Sequence, residues 1–154
     1  MKKKIFITFL SVLALAGCRE DEAASPQIAG KLVGCWVLPQ YEDGTNGNTV
    51  ISYQRADALN GNAEGIRFLN SSTLIERKNA GSCGTPPIFY DDFEGSYRWI
   101  NERTVSIDVA FWGGMDKQTW NIISLTDTTL KIEILARDIS YNEQAQTFNT
   151  AGIY

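Results

Sequence analysis

Residues 104–111, TVSIDVAF, show the clearest strand pattern in the sequence. Their apolar members fall on every second position: Val105, Ile107, Val109 and Phe111. The positions between them hold Thr104, Ser106, Asp108 and Ala110. Alternation with a period of two places the apolar side chains on one face of a β-strand. It is typical of an antiparallel sheet with one face in water.

Seven other stretches show the same alternation or a β-branched and aromatic composition. They are 34–41, 49–55, 65–70, 73–78, 95–100, 117–124 and 129–135. Turn-forming residues separate most of them at hairpin length. Two stretches could form helices, but Asn60-Gly61-Asn62 interrupts residues 56–63, and residues 140–148 are short and polar. The chain is therefore predicted to be all-β.

Eight short strands with no helix between them predict an eight-stranded antiparallel up-and-down barrel, with a β-sandwich as the alternative. The barrel is preferred because consecutive hairpins need no long crossing connection, and because closure leaves no unpaired sheet edge. We assign residues 31–136 to the barrel. Residues 137–154 form a C-terminal extension, which could be a ninth strand, a lid or frayed chain.

The amino terminus has the pattern of a secretion signal. Lys2, Lys3 and Lys4 precede a thirteen-residue apolar stretch, which is too short to span a bilayer. Residues 15–18, LAGC, resemble the lipobox of bacterial lipoproteins. That resemblance implies a signal peptide over residues 1–17 and, at Cys18, a diacylglycerol thioether with fatty acyl groups such as palmitate. An ordinary signal peptide that contains a cysteine is the alternative.

Residues 18–30 are predicted to be a flexible, lipidated tether, because they are polar and lack periodicity. Their acidic run, residues 19–22, resembles the segment that directs some lipoproteins to the cell surface. The expected location is the outer membrane, through the lipid anchor, with surface exposure as a further expectation. We expect a monomer.

Charge and composition limit the function classes. The signal contains three of the 14 basic residues, so 11 basic residues remain against 18 acidic ones, a net charge of −7. An acidic protein disfavours nucleic acid and anionic lipid headgroups as partners. The sequence contains no histidine, which is the commonest general base and metal ligand. We therefore expect no enzyme, no cofactor and no metal site.

Two cysteines remain once Cys18 is lipidated. Cys35 and Cys83 are predicted to form a disulfide in an oxidising compartment. A reactive or metal-binding pair is the alternative. The acidic segment 90–94 and the segment 42–48 are interpreted as a solvated loop and a hairpin turn rather than as cation sites.

Gly34-Cys35-Trp36 resembles the Gly-x-Trp that begins lipocalin-type barrels, where the tryptophan closes the barrel bottom. The series Gly95–Trp99, Val105–Ile107, Trp120–Ile122 and Leu130–Ile132 resembles bacterial lipocalin-like domain lipoproteins. The resemblance covers most of residues 31–136 and implies a barrel. Arg137 is only a rough positional match for the arginine that packs on this tryptophan in eukaryotic lipocalins.

Six aromatic residues can point inward and are the candidate ligand-binding residues: Trp36, Phe68, Tyr97, Trp99, Phe111 and Trp120. Such side chains either line a pocket or fill a core. We therefore expect a membrane-anchored lipocalin-like lipoprotein that binds a small apolar or amphipathic ligand. The alternative is a structural or interaction protein of the envelope with a filled barrel.

Overall fold

The computed structural model describes residues 26–80 and 88–142 of the protein. A short helix, α1, spans Pro26–Leu32, and a 3-10 turn spans Thr45–Gly47. The strands are β1 (Gly34–Asp43), β2 (Thr49–Ala56), β3 (Gly65–Phe68), β4 (Thr73–Asn79), β5 (Tyr90–Trp99), β6 (Thr104–Phe111), β7 (Gly114–Leu125) and β8 (Thr129–Tyr141).

The eight strands form one closed barrel, and every neighbouring pair is antiparallel. Around the ring the order is β1-β2-β8-β7-β6-β5-β4-β3, and β3 pairs with β1 to close it. The prediction of an all-β, eight-stranded antiparallel barrel is confirmed. Closure gives every strand two neighbours, but β3 pairs with only Gly34–Val37 of β1, and β2 pairs with only Thr129–Ile134 of β8. The rest of β1 and of β8 is paired along one edge, toward the same end of the barrel.

Strand β1 lies between β2 and β3, so the connection 57–64 passes over β1. Val37 is paired with Gln54 on one side and with Gly65 on the other. The packing around Gly65 is close: a Cβ there would lie 2.9 Å from the carbonyl oxygen of Trp36 and 3.0 Å from Leu59 Cδ2. A residue without a side chain permits this approach.

The two ends of the barrel differ. One end, which we call the closed end, is formed by α1 and the turns 69–72, 100–103 and 126–128. The open end is formed by the turns 44–48 and 112–113 and by the far ends of β4, β5 and β8. Helix α1 belongs to the closed end because Lys31 forms an ion pair with Asp127 at 3.3 Å and Leu32 is 1% exposed.

Trp36 forms the floor of the closed end and has no exposed surface. Its indole Nε1 donates a hydrogen bond of 2.7 Å to the carbonyl of Leu32. The guanidinium of Arg55 lies 4.2 Å from the centroid of the Trp36 ring and donates hydrogen bonds to the carbonyls of Val33 and Lys31. Arg55, rather than Arg137, therefore packs on this tryptophan.

Three boundaries differ from the sequence prediction. The helix α1 includes the last five residues of the predicted tether, 26–30. The acidic segment 90–94 begins strand β5 instead of forming a loop. Strand β8 continues to Tyr141, so residues 137–141 of the predicted extension are strand, and residues 143–154 lie outside the described part.

Cys35 is a buried free thiol in the described part of the chain. Its predicted partner, Cys83, lies outside the described residues, as does Cys18. The disulfide and the lipid attachment therefore stay predictions. Within residues 26–80 and 88–142, no helix is long and apolar enough to cross a bilayer.

Candidate functional site

Most of the six candidate aromatic residues pack into the barrel core. Trp36 and Phe68 are fully buried, and Tyr97 and Trp120 are nearly so. The Phe68 ring stands edge-on to Tyr97 at 5.0 Å and to Trp120 at 6.1 Å between centroids. Trp99 is half-buried against the same cluster. The closed half of the barrel is thus filled by side chains.

The open half contains a cavity of about 390 Å³. A volume of this size is at the lower end of the range for small-molecule sites. Its apolar lining consists mainly of Ile51, Tyr53, Trp120 and Ile134. Its polar lining includes Tyr41, Glu64, Glu76, Lys78, Asp116, Gln118 and Arg137. We refer to it below as the open-end cavity.

Of the six candidates, Trp120 lines the open-end cavity. Phe111 lines a shallower cavity of about 200 Å³ beside it, which shares Lys78, Asp116 and Arg137 with the first. The Phe111 ring stands edge-on to Trp112 and to Tyr141 at 6.2 and 5.7 Å. Ligand contact by any of the six residues stays a prediction.

The polar lining arises from strands whose inward face changes character along its length. In β7 the residues Ile122, Trp120, Gln118 and Asp116 follow one another at every second position, and all four are buried. In β4 the same face runs from Leu74 to Glu76 and Lys78. The inward-facing residues of both β4 and β7 are therefore apolar near the closed end and polar near the open end.

A hydrogen-bonded chain joins the cavity floor to the rim. The Trp120 indole Nε1 donates to Gln118 Oε1 at 2.7 Å, and Gln118 Nε2 donates to Asp116 Oδ2 at 2.9 Å. Arg137 then donates from Nη2 to Asp116 Oδ2 at 2.6 Å and from Nε to Asp116 Oδ1 at 3.0 Å. The hydrogen bonds with Asp116 raise the pKa of Arg137. Asp116 is 3% exposed, so its charge requires these partners.

A second ion pair lies on β4. Lys78 Nζ is 2.6 Å from Glu76 Oε2, and both side chains are 21% exposed. Burial raises the pKa of the Glu76 carboxyl, whereas Lys78 acts in the opposite direction. The ammonium of Lys78 also lies 5.3 Å from the centroid of the Phe93 ring. The pair holds both side chains at the cavity wall.

Two tyrosines complete the lining beside Glu64. The Tyr41 hydroxyl donates to Glu64 Oε2 at 3.1 Å. Tyr41 is 61% exposed, but partial burial of its hydroxyl and the nearby charge of Glu64 raise its pKa above the usual value. Burial also raises the pKa of Tyr53, and Glu76 adds to this effect. Both hydroxyls therefore stay protonated at neutral pH.

The cavity offers fixed charges and hydrogen-bonding groups above an apolar floor, which suits binding. Among the residues that the structure describes, no group of three histidine, cysteine, aspartate or glutamate side chains is placed to hold a metal ion. No family model matches the sequence, and comparison with curated proteins and with solved structures gives no match.

Proposed function

We propose that this protein is a lipid-anchored lipoprotein of the bacterial outer membrane. Its lipocalin-like barrel binds a small amphipathic molecule in the open-end cavity. The observation that carries the proposal is the division of the barrel interior. One half is filled by aromatic and aliphatic side chains, whereas the other encloses about 390 Å³.

An amphipathic ligand matches the lining of the open-end cavity. Its apolar part would contact Ile51 and Trp120, and burial of that surface would contribute to the affinity. Its polar part would meet the charged wall, where a few fixed groups give orientation and specificity. Binding without chemistry also agrees with the composition, since no histidine is present.

The lipid anchor would orient the barrel. Seven residues lie between Cys18 and Pro26, and the eight Cα–Cα steps from one to the other span at most about 29 Å. Because α1 lies at the closed end, the anchor would hold that end toward the membrane. The open-end cavity would then face away from the bilayer and take its ligand from the aqueous side. The disulfide between Cys35 and Cys83 would form in the same oxidising compartment.

A cavity-filling substitution tests the proposal. Thr49 is exposed at the rim of the cavity, so Thr49→Trp should fill it without disturbing the core. Gln54→Trp is the matched control, because Gln54 is exposed on the opposite face of the same strand. Native mass spectrometry of detergent-free protein from its own envelope should find a bound small molecule with the wild type and with Gln54→Trp. The molecule should be absent from Thr49→Trp.

A wild-type protein that carries no small molecule would contradict the proposal. So would equal occupancy in the two tryptophan variants, because the molecule would then be bound elsewhere. Both variants should show the wild-type circular dichroism spectrum, which excludes misfolding as the cause of a lost ligand.

A second candidate function is that of an interaction protein of the envelope. Exposed apolar side chains favour it: Phe89, Trp112, Ile139 and Tyr141 all lie near the open end and are 40–66% exposed. Exposed apolar groups that cluster at one site often contact partner proteins. A stoichiometric protein partner cross-linked equally to the wild type and to Thr49→Trp would favour this candidate over ligand binding.

A further inference from the structure

The charged side chains of the open-end cavity are not all paired with one another. Its lining contains three acidic side chains, Glu64, Glu76 and Asp116, and three basic ones, Arg77, Lys78 and Arg137. Lys78 is paired with Glu76 and Arg137 with Asp116, at 2.6 Å in each case. Arg77 is paired with Asp92 at 2.7 Å, and Asp92 is not part of the lining.

Glu64 is the acidic side chain that remains. Within residues 26–80 and 88–142, no lysine or arginine forms an ion pair with it. Its described hydrogen bond comes from the neutral hydroxyl of Tyr41, at 3.1 Å. A hydroxyl donor stabilises a carboxylate but does not neutralise it. Within the described residues, Glu64 is therefore a carboxylate of the cavity lining that has no lysine or arginine as an ion-pair partner.

Aromatic rings also line the open-end cavity. Tyr53 and Trp120 are stacked with their centroids 6.2 Å apart and their planes 25° from parallel. Tyr41 lies beside Glu64, to which its hydroxyl donates at 3.1 Å, and Tyr53 lines the same cavity. Aromatic faces attract cations, most strongly where water is excluded. Carboxylate and rings together favour a positively charged group.

We propose that the ligand is a small organic cation with an ammonium group on an apolar body. This inference rests on the proposed function and names the class of its ligand. The ammonium would pair with Glu64 beside Tyr41, and the apolar body would lie on Ile51 and Trp120. An anion would be repelled by Glu64, and a neutral molecule would leave it unpaired. The net charge of −7 after signal removal also attracts cations from solution.

Three probes of one shape and different charge test this inference. They are phenethylamine, phenethyl alcohol and 3-phenylpropionate, which are positive, neutral and negative at pH 7. Their affinities are measured by titration calorimetry with the full-length protein in lipid nanodiscs. We expect the amine to bind at least tenfold more tightly than the alcohol, and the carboxylate to bind most weakly.

Glu64→Gln removes the charge and keeps the shape and an acceptor oxygen for Tyr41. This variant should lose about tenfold or more of its affinity for the amine and retain its affinity for the alcohol. Glu102→Gln is the matched control, because it makes the same change at an exposed turn of the closed end. It should leave all three affinities unchanged.

The outcomes separate this inference from the proposed function. Equal affinities for amine and alcohol, or an amine affinity that Glu64→Gln does not change, would overturn the cation inference. Cavity binding would stand if Thr49→Trp still blocked the alcohol. If none of the probes bound and native mass spectrometry found no bound molecule, the proposed function itself would fail.

Discussion

Replacing Trp36 by alanine is expected to lower the free energy of unfolding by about 3–5 kcal/mol, the usual cost of removing a large buried aromatic side chain. Trp36 has no exposed surface and contributes three kinds of interaction at the closed end. Its ring packs in the core cluster, its indole binds the Leu32 carbonyl, and the Arg55 guanidinium covers its face. Urea denaturation followed by far-UV circular dichroism measures the loss.

Trp112→Ala is the control for this experiment, since its side chain is 53% exposed at the open end. It should cost less than about 1 kcal/mol. Trp36→Phe keeps a ring but loses the hydrogen bond to Leu32, and it should fall between the two. A similar, small loss in Trp36→Ala and Trp112→Ala would show that the closed end is not the packed core of the barrel.

Replacing Cys18 by serine is expected to abolish membrane attachment completely. The thioether needs the sulfur of Cys18, so the variant cannot carry the lipid. One acyl chain alone gives only marginal membrane binding, and the stable attachment of the wild type depends on several chains at Cys18. The wild type should sediment with membranes and have a mass increased by its lipid groups. The variant should be found in the soluble fraction without that added mass.

Cys35→Ser is the matched control for the anchor, because it removes a different sulfur and leaves the proposed lipid site intact. It should sediment with membranes as the wild type does. Membrane association of Cys18→Ser, or a wild-type mass without lipid groups, would contradict the lipoprotein proposal. Neither result would bear on the open-end cavity, which the probe titrations test separately.

The strands could be predicted from the sequence because alternation with a period of two directly reflects the inside and outside of a sheet. All eight predicted strands are present, and Thr104–Phe111 has the predicted bounds. Helix α1 was missed because seven residues are too few to show a helical period. It is stabilised by tertiary contacts, notably the burial of Leu32, rather than by its own propensity.

The sequential neighbour order of the predicted up-and-down barrel is found from β3 to β8, whereas the position of β1 between β2 and β3 was not predicted. The connection 57–64 is long enough to pass over β1. The early start of β5 was missed because residues 90–94, Tyr-Asp-Asp-Phe-Glu, are mostly polar. These polar residues are stabilised in the strand by their partner β4, where Arg77 lies opposite Asp92 and pairs with it at 2.7 Å.

The site was only partly predictable. Of its lining, the sequence pointed to Trp120, because aromatic residues in alternating strands are expected inside. Glu76, Asp116 and Gln118 were not predicted, because polar residues in a strand are normally assigned to the wet face. The sequence did contain a signal, because Asp116 and Gln118 lie at alternate positions with Trp120 and therefore on the same face of the strand. Pairing partners such as Arg137 come from another strand, which a single sequence does not place.

Binding at the open end of the barrel, with a packed closed end, is tested most directly by comparing two indole N–H groups by nuclear magnetic resonance. Trp120 binds Gln118 beside the open-end cavity, and Trp36 binds the Leu32 carbonyl in the closed end, both at 2.7 Å. During titration with phenethylamine, we expect the Trp120 indole resonance to shift while that of Trp36 stays in place. A shift of Trp36 as large as that of Trp120, or no shift of Trp120 where calorimetry shows saturation, would contradict this expectation.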